Sequence, residues 1–315
     1  MLQPVFQTRK VHLSMLTVGI FVTLVSTMLF CVPILGERKK MECGQGETSA
    51  AVQRNWTSQR KGEMEENPLI NKYLSLLENA LTGSLYNDKP LKTVNVTERD
   101  FRIDEVRERG NDWPGDTGHT MVGHLRLRNI KETLLNVIYS GIEGDFAEFG
   151  VWRGGSCIFA AGIFDIMEVK DRQVHVFDAF GKIDPQTGGY GPSDNYLAVS
   201  AIQVRFNFWK YGLLNDMVKF YPGMFQDTAP MFRKEMEKNK KKLSVLRIDG
   251  NFYDSYLSVL ENLFDLVSEL GYIIFDDIRS HPDVERAWKD FLSSRGIEVP
   301  LINIDDHSAY IQKPM

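Results

Sequence analysis

The sequence predicts an α/β fold, a mainly parallel doubly wound sheet of Rossmann-like type, on three observations. Apolar strand segments alternate with helical periodicities through the C-terminal half, a glycine-rich turn follows the first of those strands, and acidic residues stand at strand ends. The 315 residues, 43% of them apolar and 25% charged, suffice for one large domain with additions. A net charge of -5 speaks against nucleic acid as a partner, and the basic run Lys238–Lys242 reads as a solvated loop.

The N-terminal part is of a different kind. Leu13 to Leu35 is almost wholly apolar and uncharged, between Arg9 and Lys10 on one side and Arg38, Lys39 and Lys40 on the other, and is long enough to span a bilayer. A cleaved signal peptide is the rival, but its apolar core runs to only about 7 to 15 residues and ends at a small-residue site. The expected division is a short tail (1–12), a transmembrane signal anchor (13–35), a polar stem (36–68), a helical N-terminal extension or lid (69–140) and the sheet domain (141–315). The sequons Asn55-Trp-Thr57 and Asn95-Val-Thr97 fit a luminal body, whereas the basic residues after the span count the other way. The expected location is a single-pass type II protein of the Golgi or endoplasmic reticulum with a luminal catalytic domain, held to the membrane by that one helix. Of three cysteines, Cys31 lies in the span and Cys157 in the body. Cys43 either pairs between two chains, giving a homodimer, or stays a free thiol.

In the body, Leu69, Tyr73, Leu76, Leu77 and Leu81 have helical spacing, and a second helix runs from His124 to Ser140. The strand from Gly144 closes on Glu148 and gives way to a turn with Gly150, Gly154 and Gly155. Glycines belong there because a cofactor meets the backbone only where no Cβ intervenes. A carboxylate beside the turn repels phosphates but suits a cofactor with a cationic centre and an amino-acid tail, as in S-adenosyl-L-methionine. A ligand-free strand-helix connection is the bland alternative. The strand Val174–Phe177 then ends at Asp178, where doubly wound folds place the carboxylate that takes ribose hydroxyls.

Downstream, helical patterns at 196–211, 228–237, 253–266 and 284–294 separate strands at 218–221, 243–248, 272–275 and 299–304, and a last strand spans 309–312. Ligands in such sheets lie outside the carboxyl ends of the strands. Asp249 follows one strand, and Asp276 and Asp277 follow its neighbour. Adjacent carboxylates repel unless a cation or proton intervenes, so the trio suits a hard divalent metal, most simply Mg²⁺. Either of the adjacent pair alone also reads as a helix N-cap.

The segment from Asp112 to the C-terminus resembles the macrocin O-methyltransferase family, sugar O-methyltransferases of the class I S-adenosylmethionine fold, here in a membrane-anchored, eukaryotic-type form. The resemblance rests on Asp112-Trp-Pro114, His119-Thr-Met121, Glu148-Phe-Gly-Val-Trp-Arg-Gly-Gly155, Asp178-Ala-Phe180, Tyr211-Gly-Leu-Leu214, Pro222-Gly-Met-Phe-Gln-Asp-Thr228, Leu246-Arg-Ile-Asp-Gly250 and Phe275-Asp-Asp277. It implies that Glu148, Gly150 and Gly154 hold the methionine end of the cofactor and Asp178 its ribose. Gly223 and Asp227 would border the adenine, and Thr120 and Met121 would approach from the N-terminal segment. It further implies Mg²⁺ on Asp249, Asp276 and Asp277, and a sugar or glycan hydroxyl as acceptor. The chain departs from the family at Asn251, where bacterial members commonly carry an acid proposed as base. An amide cannot take that proton, which brings forward His281, whose ordinary pKa suits a base, beside Asp249 as catalytic candidates; a histidine ahead of Pro282 also reads as a loop residue, and solvent or another acid stays open as the base. Two other classes compete: an S-adenosylmethionine-binding scaffold without turnover, suggested by Asn251, and a nicotinamide oxidoreductase, disfavoured by Glu148 and the acidic trio.

Overall fold

The computed structural model describes residues 67–88, 92–93, 107–110, 112–181 and 194–315. The tail, the apolar span, nearly all of the stem, both sequons, Cys31 and Cys43 lie outside these residues, and the expected extension or lid (69–140) is described in part. Among the described residues no helix is long and apolar enough to cross a membrane. The expected span itself lies outside these residues, and the expected type II placement is corrected by the relatives described below.

Helix α1 (Pro68–Leu81) starts where Asn67 Oδ1 accepts the Leu69 N–H and Pro68 fixes the first helical φ. Helix α2 (His124–Tyr139) follows a short antiparallel pair, Lys92–Thr93 with Asp112–Trp113. The main sheet is then laid down as β1 (Asp145–Phe149), β2 (Val174–Asp178), β3 (Val218–Pro222), β4 (Leu243–Ile248), β5 (Val267–Phe275), β6 (Ile302–Asn303) and β7 (Ala309–Gln312). Between them lie α3 (Gly155–Ile166), α4 (Ala201–Lys210), α5 (Phe225–Lys238), α6 (Tyr253–Leu263) and α7 (Pro282–Arg295).

The strand order is β3-β2-β1-β4-β5-β7-β6. The first five are mutually parallel, while β7 runs antiparallel to both β5 and β6, so the sheet is mixed. The order reverses between β1 and β4, the switch point at which such sheets open a crevice.

Side chains alternate across the sheet, but both faces are covered, which is why the strands read as continuous apolar runs. Phe146 and Val245 face a core with α1, α2 and α3, including Leu77, Leu134, Ile158 and Phe164. Ala147, Phe149, Leu246 and Ile248 face the opposite core with Phe232, Tyr256, Trp288 and Phe291 of α5, α6 and α7. By the same alternation Glu148 and Arg247 belong to the α2–α3 side, inside the protein.

Three elements differ from the sequence expectation. The helix expected over 196–211 is broken: Asp194–Leu197 forms one turn and α4 begins afresh where Ser200 Oγ caps the Gln203 N–H. The strand expected at 299–304 shrinks to Ile302–Asn303, because Pro300 has no N–H to give an edge ladder. Strand β5 starts earlier than expected, with a register irregularity against Leu243–Val245 and Leu270 at φ +63°.

Gly150 shows why the turn after β1 needs glycine. Its φ is +91°, and a Cβ there would lie 1.9 Å from the carbonyl oxygen of Asp249 on the neighbouring strand. Gly150→Ala is expected to destabilise the fold by on the order of 3 kcal/mol, read as a lower urea midpoint at unchanged slope.

Candidate active site

A cavity of about 790 Å³ opens at the switch point. Its wall runs from Gly150, Trp152 and Asp178 through the Gly223–Gln226 turn to Asp249 and the segment Asn251–Ser255. Volume and lining suit a nucleoside-sized ligand.

The glycine turn is held from three sides. Asp178 Oδ2 accepts the backbone N–H groups of Val151 (2.9 Å) and Trp152 (3.1 Å), and its Oδ1 accepts that of Phe180 (2.9 Å). Burial raises the Asp178 pKa even though these donors pull against it. Gly154, at φ +85°, caps α3, and the Gly155 N–H donates to the His119 carbonyl at 2.9 Å. Trp152 occupies the left-handed region at φ +48°, unusual for a bulky residue, and its indole N–H donates to the Tyr196 carbonyl. Arg153 lies 4.1 Å over the Trp152 ring and reaches the Gly115 and Gly118 carbonyls, which ties residues 115–118 to the turn.

Of the residues expected to hold the cofactor, Met121, Gly150, Asp178 and Gly223 line the cavity. Thr120 is buried against Gly155, with its Oγ1 accepting the Val122 N–H. Gly154 is the cap of α3, and Asp227 is exposed in the first turn of α5, off the cavity wall. Glu148 lies behind the cavity with 1% of its side chain exposed, its carboxylate accepting from Arg247 Nη1 (2.5 Å), the Ser156 hydroxyl (2.5 Å) and the Cys157 thiol (3.0 Å). Burial, with Glu148 beside it, pushes the Cys157 thiol up, so it is not a nucleophile.

At the rim Asp249, Asp276 and Asp277 come together: one oxygen of each lies within 4.8 Å of the other two. Their surroundings are unequal. Asp276 is buried, yet Arg126 and Arg247 outweigh the desolvation, aided by the Ser308 hydroxyl at 3.1 Å, and its pKa is lowered. Burial and the charge of Asp276 raise both Asp249 and Asp277. Asp277 adopts φ +55°, a conformation that Asp tolerates better than most residues. His281, the N-cap of α7, places Nδ1 3.8 Å from Asp277 Oδ2 and 3.2 Å from Ser280 Oγ. Asn251 lines the cavity, and its Oδ1 is buried without a hydrogen-bond partner.

Two arginines that sequence reasoning passed over organise this rim. Arg247, 1% exposed, spans Glu148, Asp249 and Asp276 at 2.5, 2.9 and 2.7 Å. Arg126, 5% exposed, bridges Asp276 at 3.1 Å and Asp305 at 2.6 Å, so α2 and the β6–β7 connection are fastened to the acids. Around the trio, Glu148, Asp249, Asp276, Asp277 and Asp305 set five carboxylates against the two guanidiniums of Arg126 and Arg247.

His119 links the turn to α4, its Nδ1 lying 2.9 Å from the Tyr211 hydroxyl. Burial, then Lys210 and Arg153, lower its pKa to about 4 from 6.5. The folded state thus resists protonation, and the stability His119 contributes is present above about pH 6.5 and lost as pH falls towards 4. In urea midpoints measured against pH, His119→Gln is expected to show a shallower loss across that window.

A family model described as macrocin-O-methyltransferase (TylF) matches residues 70–313. The demethyldecarbamoylnovobiocin O-methyltransferase of Streptomyces niveus is 39% identical over 260 residues, covering 79% of this chain and 96% of its own. The mycinamicin III 3''-O-methyltransferase of Micromonospora griseorubida is 35% identical, covering 76% and 96%. The solved O-methyltransferase NovP superposes with a TM-score of 0.68 at 37% identity, over 78% of this chain and all of that one. These named relatives come from bacteria, which have neither Golgi nor endoplasmic reticulum, and that overturns the organelle placement expected from the N-terminal span and the sequons.

Proposed function

The chain belongs to the macrocin O-methyltransferase family and is an S-adenosylmethionine-dependent O-methyltransferase, and from that premise we propose that it methylates a sugar hydroxyl with the help of a divalent cation held by Asp249, Asp276 and Asp277. The sugar acceptor is supported by relatives named for mycinamicin III and for a dimethoxyrhamnosyl tetracenomycin. The observation that carries the cation is the carboxylate trio at the rim of a cofactor-sized cavity.

The residues fit both groups. For the cation, the donors are all carboxylate oxygens, as a hard metal prefers, and the surrounding acids exceed the bases. When bound, it supplies Lewis acidity that lowers the pKa of an alcohol, which otherwise lies far above neutrality. For the cofactor, Gly150 admits close approach and Asp178 offers a ribose-binding carboxylate. The cofactor supplies a methyl group on a positively charged sulfur. In this reading Met121, Gly150, Asp178 and Gly223 form its wall, while Glu148 acts through Arg247 and Thr120, Gly154 and Asp227 shape the turns behind it.

The chain's own groups then divide the work. Arg126 and Arg247 keep Asp276 ionised and aimed, Asp249 and Asp277 complete the oxygen face, and His281 takes the hydroxyl proton at Nε2, its Nδ1 being occupied by Ser280 and Asp277. In the same reading the helical extension at 69–140 covers a methyltransferase domain at 141–315. Incubation with S-adenosylmethionine, Mg²⁺ and a sugar panel should give a product heavier by one methyl group. His281→Gln is expected to lower turnover about a hundredfold while cofactor affinity, measured by calorimetry, stays unchanged. Unchanged turnover in that variant removes His281 as the base.

A further inference from the structure

A second cavity, of about 350 Å³, lies between α1 and α2, and it contains reactive groups that methyl transfer does not use. Glu78, near the end of α1, places Oε1 2.5 Å from Nδ1 of His124, the first residue of α2. Nε2 of the same ring lies 3.0 Å from Ser84 Oγ. Ser84 opens the short turn Ser84–Tyr86 directly after Gly83, which adopts φ +77°. All three side chains line the cavity.

The hydrogens follow from what each atom can do. A carboxylate only accepts, so Nδ1 of His124 carries the hydrogen and, in the neutral ring, Nε2 accepts from the Ser84 hydroxyl. Thr82 Oγ1, 2.9 Å from Ser84 Oγ, gives its own hydrogen to the Glu78 carbonyl at 3.0 Å and so leaves Nε2 to Ser84. The chain from carboxylate to imidazole to hydroxyl is the arrangement that activates a serine for acyl transfer, and it is recognised by geometry and role rather than by fold or order in the chain. The cavity wall also carries Arg128 and Lys131. Arg128 is paired with Glu108 at 2.6 Å and also places Nε 3.5 Å from Glu78 Oε1, whereas Lys131 has no ion pair among the described residues.

We propose that Ser84, His124 and Glu78 form a second active site, an esterase centre that takes a short carboxylic ester bearing an anionic group near Lys131. Ser84 Oγ uses a lone pair to bond the ester carbonyl carbon while its hydrogen passes to His124 Nε2. The bond from that carbon to the alcohol oxygen breaks, and the alcohol leaves with the bonding pair and the hydrogen from Nε2. Water, giving a hydrogen to Nε2, attacks the acyl carbon, and Ser84 leaves with that hydrogen, so the enzyme returns to its starting state and no further reagent is consumed.

The test uses the full chain with a fluorophosphonate probe and with p-nitrophenyl acetate and p-nitrophenyl succinate as substrates. Peptide mapping is expected to find the adduct on Ser84. Ser84→Ala should lose the adduct and roughly a thousandfold in hydrolysis, with an unchanged melting temperature, while Ser75→Ala on the same wall behaves as wild type. Glu78→Gln slows labelling and Glu78→Asp recovers part of it, as a positioning role requires. Lys131→Ala raises KM for the succinate ester more than KM for the acetate ester. Absence of an adduct on Ser84 in the wild-type protein overturns the proposal, however the variants fold, and so does wild-type hydrolysis by a folded Ser84→Ala.

Discussion

Asp277→Ala is expected to lower methyl transfer roughly a thousandfold while leaving S-adenosylmethionine affinity close to wild type. The magnitude follows from losing several kcal/mol of Lewis-acid assistance, at about 1.4 kcal/mol per decade of rate. The selectivity follows from position: Asp277 sits at the acidic rim and does not line the cavity wall of Gly150, Trp152 and Asp178. Stability should move the other way. Burial and the neighbouring Asp276 raise the Asp277 pKa, so without metal its charge opposes folding, a penalty that is complete above its folded pKa and gone below its unfolded one. The metal-free variant should therefore be at least as resistant to urea as metal-free wild type at neutral pH. Calorimetric titration with Mn²⁺, followed by single-turnover assays, checks both halves. Full activity in Asp277→Ala removes the metal from the account.

Arg247→Met is the substitution with the largest expected effect on the fold, on the order of 3–5 kcal/mol. Arg247 is 1% exposed and contacts three carboxylates, two of them, Glu148 and Asp276, buried almost as deeply. Methionine matches much of its volume but leaves those charges without their donor. Breaking a buried pair costs far more than replacing the whole pair, because the partner remains charged in a dry place. The double variant Arg247→Met with Glu148→Gln should accordingly recover part of the loss. Urea denaturation of both single variants and the double variant measures the coupling, and strictly additive effects contradict the paired role.

The parts of this protein legible in its sequence are those set by local pattern. The glycine turn, Asp178 at the end of β2 and the acids after β4 and β5 each follow from strand ends meeting a crevice, and the sheet segments follow from apolar runs. Element ends were less legible: a cap at Ser200 broke one expected helix, and Pro300 cut one strand short. Arg126 was hidden for a different reason. On a helix that also carries Arg128, Lys131 and Glu132 it reads as solvated, and only folding brings it to Asp276 and Asp305, 150 and 179 positions away. Arg247 did leave a trace, a lone cation in the apolar strand Leu243–Ile248, but the partners that make it necessary come from three strand ends. Glu148 shows the converse: its position in the motif was plain, while its enclosure by Arg247, Ser156 and Cys157 depends on packing. The membrane-span reading concerned residues outside those described, and the organelle inferred from it was overturned by the bacterial relatives rather than by anything in the sheet.

The most direct test of the central claim is methyl transfer to a sugar acceptor, followed by mass spectrometry in protein stripped with chelator and then resupplied with Mg²⁺. The proposal predicts a product one methyl group heavier with Mg²⁺, its loss on chelation and its return on resupply. Equal transfer in the chelated protein contradicts it.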